Sequence, residues 1–203
     1  MASESSTIKL FDRWDTAGIE VSDAGLKEYI SLAPIIVPKT GARYAGNRFH
    51  KSRVSVVERL VNKLMVAGHK AKKHKVSSGH VTGQAERNYY VVRDALMIVE
   101  EKTKENPVAV LVQAIENAAP REEIINIEYG GARYPKPVEC SPQRRVDIVL
   151  RQMAQSAYQR GFKKKGSAAQ SLANEILNAY NAKADSQAIQ KKLDLERTAD
   201  SSR

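Results

Sequence analysis

Residues 106–150 read NPVAVLVQAIENAAPREEIINIEYGGARYPKPVECSPQRRVDIVL, and the fold is decided within this stretch. Its first part has apolar residues every three or four positions, as on the buried face of a helix: Val108, Leu111, Val112 and Ile115. Asn106 followed by Pro107 is typical of a helix start, because the asparagine side chain satisfies a free amide and proline needs no donor at the first position. Pro120 predicts that this helix ends near Ala119.

The period changes over residues 122–139. Apolar residues now alternate with polar ones up to Gly130-Gly131, and Tyr134 and Val138 continue the pattern beyond these glycines. Alternation on both sides of a Gly-Gly turn predicts a β-hairpin. Because proline cannot donate to a strand ladder, we expect Pro135 and Pro137 to limit the second strand to an irregular edge. Since an isolated ribbon is marginally stable, it must pack on the helices or on a partner.

Ser141-Pro142 repeats the cap-then-proline signal and opens a further helix that ends at Gly161. Helical periodicity also predicts helices over residues 51–67 and 86–104, a helix capped by Ser167, and a last helix capped by Asp185 or Ser186. We therefore predict a mainly α fold, a six-helix bundle with a projecting two-stranded β-ribbon between the third and fourth helices. Residues 1–38 form an extended N-terminal arm, and residues 39–203 form a single helical domain.

The net charge of the chain, +10, is concentrated in residues 39–75, where eleven Lys or Arg residues stand against one acid, Glu58. Lysines and arginines placed on phosphates release condensed counterions, so this concentration predicts a polyanionic partner, with nucleic acid as the first candidate. In the helix over residues 51–67, Val57, Leu60 and Leu64 form a core face, and we expect the neighbouring face to be cationic, with Ser52, Val56, Arg59 and Lys63. A basic amphipathic segment can also bind a membrane surface or a calmodulin-like protein. The glycines of this segment make those partners less fitting than RNA or DNA.

The sequence has no motif for catalysis. It contains no phosphate-binding P-loop, no dinucleotide-binding glycine motif, no HExxH and no GxSxG, so we expect no enzyme activity and no cofactor. His50, His69, His74 and His80 lie among basic residues that would repel a metal cation, and we therefore predict no metal site. Cys140, the single cysteine, excludes an internal disulfide and fits a buried residue at a strand end. No apolar run is long enough to span a bilayer and no signal peptide is recognisable, so we expect a cytoplasmic protein.

The candidate nucleic-acid contacts interleave basic and aromatic residues, which offer phosphate contacts beside stacking platforms for unpaired bases. Arg144 and Arg145 sit in the first turn of a helix, where the helix dipole disfavours cations, so we expect a phosphate to offset that cost. No helix carries the combination of a major-groove reader, which favours a folded RNA over duplex DNA. The candidates for RNA binding are Arg43, Tyr44, Arg48, Phe49, Lys51, Arg53, Arg59, Lys63, Lys70, Lys72, Lys73, Lys75, Arg144, Arg145, Lys163, Lys164 and Lys165, with Arg133, Tyr134 and Lys136 at the ribbon.

Several strings closely resemble one known family. They are VERLVNKLM at 57–65, ENP at 105–107, AIENAAPRE at 114–122, SPQRRVD at 141–147 and the tail AIQKK at 188–192. Together they resemble the seventh small-subunit ribosomal protein family, called the fifth in eukaryotes, in order over residues 39–203. The N-terminal arm resembles the archaeal and eukaryotic branch, with archaea favoured. Lys104 stands where relatives often have glycine.

This resemblance implies a helical bundle with a β-ribbon that binds the 3′ major domain of small-subunit ribosomal RNA and nucleates assembly of the subunit head. It implies that Arg133, Tyr134 and Lys136 approach the exit-site transfer RNA and messenger RNA path, with head and platform ribosomal proteins as neighbours. Two alternatives stay open from the residues alone. One is a basic DNA-binding or chromatin-compacting protein, and the other is an RNA-modifying enzyme, for which no cofactor or ligand set is visible.

Overall fold

The computed structural model describes residues 8–68 and 84–203 and confirms the predicted mainly α fold with a β-ribbon between the third and fourth helices. Two short 3-10 segments, Lys27–Tyr29 and His50–Arg53, precede and follow the end of the N-terminal arm. Within the described part of the chain, no helix has the length and apolarity needed to cross a bilayer. The longer elements are α1 (Val56–Leu64), α2 (Ala85–Thr103), α3 (Pro107–Ala118), β1 (Glu122–Tyr129), β2 (Ala132–Glu139), α4 (Pro142–Gly161), α5 (Ala168–Tyr180) and α6 (Gln187–Asp200).

Helix α5 lies at the centre of the bundle, packed against α2, α3 and α4. Its apolar residues Leu172 and Ile176 are fully buried, and they meet Leu96 of α2 and Leu150 of α4 in one continuous core. Complete burial of each such side chain stabilises the fold by roughly 1.5–3 kcal/mol relative to exposure. These buried side chains therefore join α2, α4 and α5 in the core.

The predicted helix starts differ in how they are capped. The Asn106 side chain accepts a hydrogen bond from the amide of Val108 at 3.0 Å, and the Ser167 hydroxyl accepts from the amide of Ala169 at 3.2 Å. Ser141, by contrast, makes no capping hydrogen bond with its side chain, although α4 begins at the next residue as predicted. At that start the proline alone supplies the signal, because its fixed φ suits the first helical position.

The ribbon is more regular than the sequence suggested. Strands β1 and β2 pair over eight residues each, around a turn in which Gly130 and Gly131 have φ of 58° and 80°. The expectation of an irregular second strand is wrong, because Pro135 and Pro137 are two positions apart and pair with Asn126 and Ile124 in an uninterrupted register. In a two-stranded ribbon each strand is an edge, and residues at alternate positions need no amide for the ladder.

The N-terminal arm packs on the helical body of the same chain. Leu10, Trp14, Leu26 and Ile30 are each at most 5% exposed and belong to the same core as the helices. Near its end, the carbonyl of Ser31 accepts a hydrogen bond from the amide at the start of α1. Although it has no long helix or strand of its own, the arm is thus held by the burial of large apolar side chains.

Helix α1 is shorter and more deeply buried than predicted. It begins at Val56 rather than near Lys51, and Val56 and Arg59, expected on an exposed cationic face, are 0% and 4% exposed. The arm covers this face of α1, and the arm's contribution was not visible in the periodicity of residues 51–67. Lys63, which belongs to the face that we expected to be cationic, is partly exposed.

Helix α2 ends on a left-handed residue that is not glycine. Lys104 has φ of 57° and donates its amide to the carbonyl of Glu100 at 2.7 Å. This is the conformation that glycine adopts without steric cost at helix ends, and the left-handed turn is present although lysine stands where the resemblance led us to expect glycine. The strain is borne by Lys104 itself.

A buried carboxylate joins three helices. Glu175 of α5 is fully buried and accepts hydrogen bonds from the hydroxyls of Ser156 on α4, at 2.7 Å, and Ser186 at the start of α6, at 2.8 Å. Arg160 of α4 lies 3.4 Å from the same carboxylate. These partners compensate the cost of burying a charge, and they fix the start of α6 against the bundle.

Candidate nucleic-acid interface

The segment between the arm and α1 presents exposed basic and aromatic side chains. Arg43, Arg48 and Arg53 are exposed, and the Phe49 ring is 54% exposed. The guanidinium of Arg48 lies over the Phe49 ring, 4.9 Å from its centroid. Tyr44 is half-buried and lies against a cavity described below. This is the arrangement that can contact phosphates and stack on unpaired bases at the same time.

Three cations of this region converge on Asp147 of α4. Its carboxylate lies 3.0 Å from Lys51 Nζ, 3.3 Å from Arg59 Nη2 and 3.7 Å from Lys63 Nζ. Burial alone would raise the pKa of Asp147, but the hydrogen bond from Lys51 and the charges of Lys63 and Arg59 together lower it. The carboxylate therefore stays ionised and holds α4 against α1, while the surrounding charge stays positive.

The environment of Lys63 shows the same excess of cations. Burial lowers the pKa of Lys63, Asp147 raises it, and the nearby positive charges of Lys51, Arg151 and Arg59 lower it again. Like charges held close together cost free energy in the isolated protein, and a polyanion laid across them removes that cost. Lys51 is 45% exposed and Lys63 is 26% exposed, so both can reach a phosphate.

Arg59 does not occupy the place that the sequence predicted. Its guanidinium donates to the carbonyl of Tyr29 at 2.8 Å and to Asp147 at 3.3 Å, and burial lowers its pKa. Tyr29 comes from the arm, so Arg59 links the arm, α1 and α4 inside the protein. Its assignment as a phosphate contact stays a prediction, although the residue is only 4% exposed and two of its guanidinium nitrogens already have partners within the protein.

Arg151 is a basic residue that sequence reasoning missed. It is exposed on α4, one helical turn beyond Asp147, and lines a hollow of about 250 Å³ with Lys63, Val66 and Gln155. The signal that could have revealed it is the spacing of four residues from Asp147, which places both side chains on one helix face. Arg151 extends the positive surface of Lys51 and Lys63.

The two arginines at the start of α4 have partners within the protein. Arg144 Nε lies 2.7 Å from Glu123 on β1, and Arg145 donates to the carbonyl of Pro120 at 3.0 Å and to Asp23 at 2.7 Å. The argument that a phosphate must offset their position is therefore wrong, because acidic side chains already do so. Arg144 is 55% exposed and can still contact a ligand, whereas Arg145 is nearly buried.

The remaining basic candidates form two further exposed groups. At the ribbon, Arg133 is 73% exposed with Glu128 at 3.8 Å, and Tyr134 and Lys136 are also exposed. Lys163, Lys164 and Lys165 follow the end of α4 and are exposed. At 1.5 Å per residue, the end of α4 at Gly161, just before these lysines, lies about 21 Å along the helix from Asp147. The structure therefore keeps these groups apart from the cluster on Asp147.

Comparison with known proteins decides the family. The model of ribosomal protein S7p/S5e matches residues 26–203. The chain belongs to the S7p/S5e family. It is 50% identical to the small ribosomal subunit protein uS7 of Nanoarchaeum equitans over 97% of this chain and 99% of the relative. It is 46% identical to uS7 of Methanosphaera stadtmanae, with 95% of this chain and 97% of the relative covered, and 44% identical to uS7 of Archaeoglobus fulgidus, with 96% and 94% covered.

These archaeal relatives confirm the archaeal type expected for this S7p/S5e member. Their coverage of nearly the whole chain includes most of the N-terminal arm.

Four candidate residues, Lys70, Lys72, Lys73 and Lys75, and the histidines His69, His74 and His80 lie outside the described residues. Within the part of the chain that the structure describes, no three His, Cys, Asp or Glu side chains cluster as metal ligands would.

Cys140 of this family member is 5% exposed, directly after β2. Burial and the neighbouring Glu123 raise the pKa of its thiol to about 11, so it stays protonated at neutral pH. A protonated, buried thiol is a poor nucleophile, in agreement with the structural role expected from the sequence.

Proposed function

We propose that this protein is a structural constituent of the small ribosomal subunit, in the cytoplasm, and that it binds the 3′ major domain of small-subunit ribosomal RNA to nucleate head assembly. Membership of the S7p/S5e family supports the ribosomal role. The observation that carries the RNA contact is the exposed Arg48–Phe49 stack beside Lys51, Lys63 and Arg151. Neither enzyme activity nor a cofactor belongs to this function.

The contacts would divide between phosphates and bases. Arg43, Arg48, Arg53 and Lys51 would hold phosphates, because their charged ends are exposed. Phe49 would stack on an unpaired base, which is available in a folded RNA and absent from the outside of a duplex. Arg144 and Lys163 to Lys165 would make separate phosphate contacts. Lys70, Lys72, Lys73 and Lys75 stay candidates for further phosphate contacts on grounds of sequence alone.

The ribbon would face the transfer RNA and messenger RNA path near the exit site. Its projection beyond the bundle, with exposed Arg133, Tyr134 and Lys136, supports this placement. Other head and platform ribosomal proteins would pack beside it. Exposed Ile125, Ile127 and Tyr129 give the ribbon an apolar face that such neighbours could cover.

Competition binding tests this proposal against a DNA-binding protein. A transcript of the 3′ major domain is labelled, and unlabelled transcript or duplex DNA with an equal number of phosphates is added at 150 mM salt. We expect the transcript to compete at least tenfold better, because the exposed stack favours unpaired bases. The Arg43→Ala/Arg48→Ala double variant should lose affinity, while Arg93→Ala on α2, where Arg93 pairs with Asp94, should not. Equal competition by duplex DNA would favour the DNA-binding alternative.

A further inference from the structure

A cavity of about 420 Å³ opens in the middle of the basic surface, between residues 39–45, α1 and Asp147. This volume lies within the range of pockets that hold small organic ligands. The charged and polar side chains that the argument uses are Lys39, Tyr44, Lys51, Glu58, Asn62 and Lys63. The cavity thus lies on the surface proposed to bind RNA. Contacts between surface cations and phosphates would not by themselves need a cavity there.

The charges of the cavity separate its interior from its rim. Glu58 is 7% exposed, and one of its carboxylate oxygens, Oε2, has no hydrogen-bond partner within the described residues. The buried part of the lining also carries Arg59, which is 4% exposed, and Asp147, which is 15% exposed, so two carboxylates outweigh one guanidinium and disfavour a phosphate in the interior. Lys51 and Lys63 keep partial exposure, so a phosphate is favoured at the rim. A neutral group attached to a phosphate satisfies both conditions.

Two side chains suit a nucleobase as that neutral group. Tyr44, half-buried in the wall, offers an aromatic surface for stacking. Asn62 of α1 is exposed, and its amide makes no hydrogen bond among the described residues. An amide presents one donor and one acceptor side by side, which matches the edge of a base.

We propose that this cavity binds one unstacked nucleotide of the RNA, with its base against Tyr44 and Asn62 and its phosphate against Lys51 and Lys63. Glu58 acts as a positioning residue, because its Oε1 accepts hydrogen bonds from the amide and the hydroxyl of Thr40, both at 2.9 Å. These bonds hold the wall that carries Tyr44 against α1. The inference rests on the proposed RNA-binding function and adds to it a site for a base.

The test compares two probes with equal numbers of phosphates, hexa-adenylate and a hexamer of abasic ribose. Stacking and edge contacts should make the wild-type protein bind hexa-adenylate at least about tenfold more tightly. Asn62→Ala and Tyr44→Ala should each reduce this ratio at least threefold and leave binding of the abasic hexamer within twofold of wild type. The matched control is Asn174→Ala on α5, whose amide oxygen accepts from Lys102 and which should keep the wild-type ratio.

Three outcomes would overturn the base site. They are equal binding of the two probes by the wild-type protein, a ratio unchanged in both variants, and a ratio abolished by Phe49→Ala alone, which would place the base on the exposed stack. In each case steep salt dependence on the 3′ major domain transcript would leave the proposed binding of ribosomal RNA standing, although equal binding of the two probes would also remove the stacking proposed for Phe49. Loss of binding to the transcript itself would instead contradict that function.

Discussion

Arg53 and Arg59 are six residues apart and carry the same charge, yet one is exposed and the other is 4% exposed. The sequence predicted both as phosphate contacts, and the difference arises from distant partners. Arg59 bonds to Tyr29 in the arm and to Asp147 on α4, and Arg145 likewise bonds to Asp23. Local composition identifies basic residues, but the packing of the arm and of α4 determines which of these two arginines faces solvent.

Replacement of Arg59 should destabilise the fold. Arg59→Ala removes a buried guanidinium and leaves the Tyr29 carbonyl without this donor, which we expect to lower the free energy of unfolding by about 3 kcal/mol. Arg53→Ala, at an exposed position, should change it by less than about 0.5 kcal/mol. Urea denaturation monitored by circular dichroism measures both. Equally small decreases in the free energy of unfolding for the two variants would show that Arg59 does not stabilise the fold.

Asp147 should make stability depend on pH in acid. Its pKa is lowered in the folded protein, so its contribution to stability is present above its unfolded pKa of about 3.9 and is lost as pH falls through the lower folded value. Wild type should therefore exceed Asp147→Asn in unfolding free energy at pH 6, and the difference should shrink as pH falls below 4.

Unfolding in urea at several pH values between 3 and 6 provides the comparison. Asp194→Asn, at an exposed position on α6, is the control and should differ little from wild type throughout. A difference between wild type and Asp147→Asn that stays constant down to pH 3 would contradict the ion-pair account.

At the scale of elements, the periodic pattern was sufficient to predict α2 to α6 and the presence of the ribbon, because each has a regular repeat and a clear stop. It was insufficient where a feature depends on two elements at once. The regularity of β2 depends on which side of Pro135 and Pro137 faces β1, and the extent of α1 depends on the arm that covers it. The sequence alone led us to expect irregular backbone at the prolines and solvent exposure at the cationic residues.

The left-handed end of α2 predicts a stabilising substitution. Lys104→Gly should raise the free energy of unfolding by about 0.5–1 kcal/mol, because glycine adopts a φ near 57° without the steric cost that a side chain imposes. Glu101→Gly, three residues earlier in the helix, should lower it by a similar amount. Thermal and urea unfolding measure the free energy of unfolding of both variants. Destabilisation by Lys104→Gly would contradict the assignment of strain to this residue.

The projecting part of the ribbon should be dispensable for folding. Four of its large apolar side chains, Ile125, Ile127, Tyr129 and Tyr134, are at least 44% exposed, so little core is lost with them. Replacement of residues 125–136 by Asn-Gly should change the free energy of unfolding by less than about 1 kcal/mol. Global unfolding of the shortened protein would mean that the ribbon stabilises the bundle.

At the scale of the whole molecule, the arm and six helices share one core, and the charge is displayed on its outside in separate groups. The cluster on Asp147, the ribbon and the lysines after α4 are held apart by the lengths of α4 and of the strands. The concentration of positive charge in residues 39–75 could be predicted from the sequence, because it requires only a count of basic and acidic residues. It could not reveal the cavity beside Tyr44, because its walls come from three separate parts of the chain.

The most direct test of the RNA-binding surface is the salt dependence of affinity for a transcript of the 3′ major domain. If exposed cations hold six to ten phosphates, affinity should fall by roughly 10³- to 10⁵-fold between 50 and 200 mM salt. Removal of Arg48 should lower the slope of log affinity against log salt by about 0.7–0.9, while removal of the paired Arg93 should leave it unchanged. An affinity that changes less than about tenfold over this range would contradict the account.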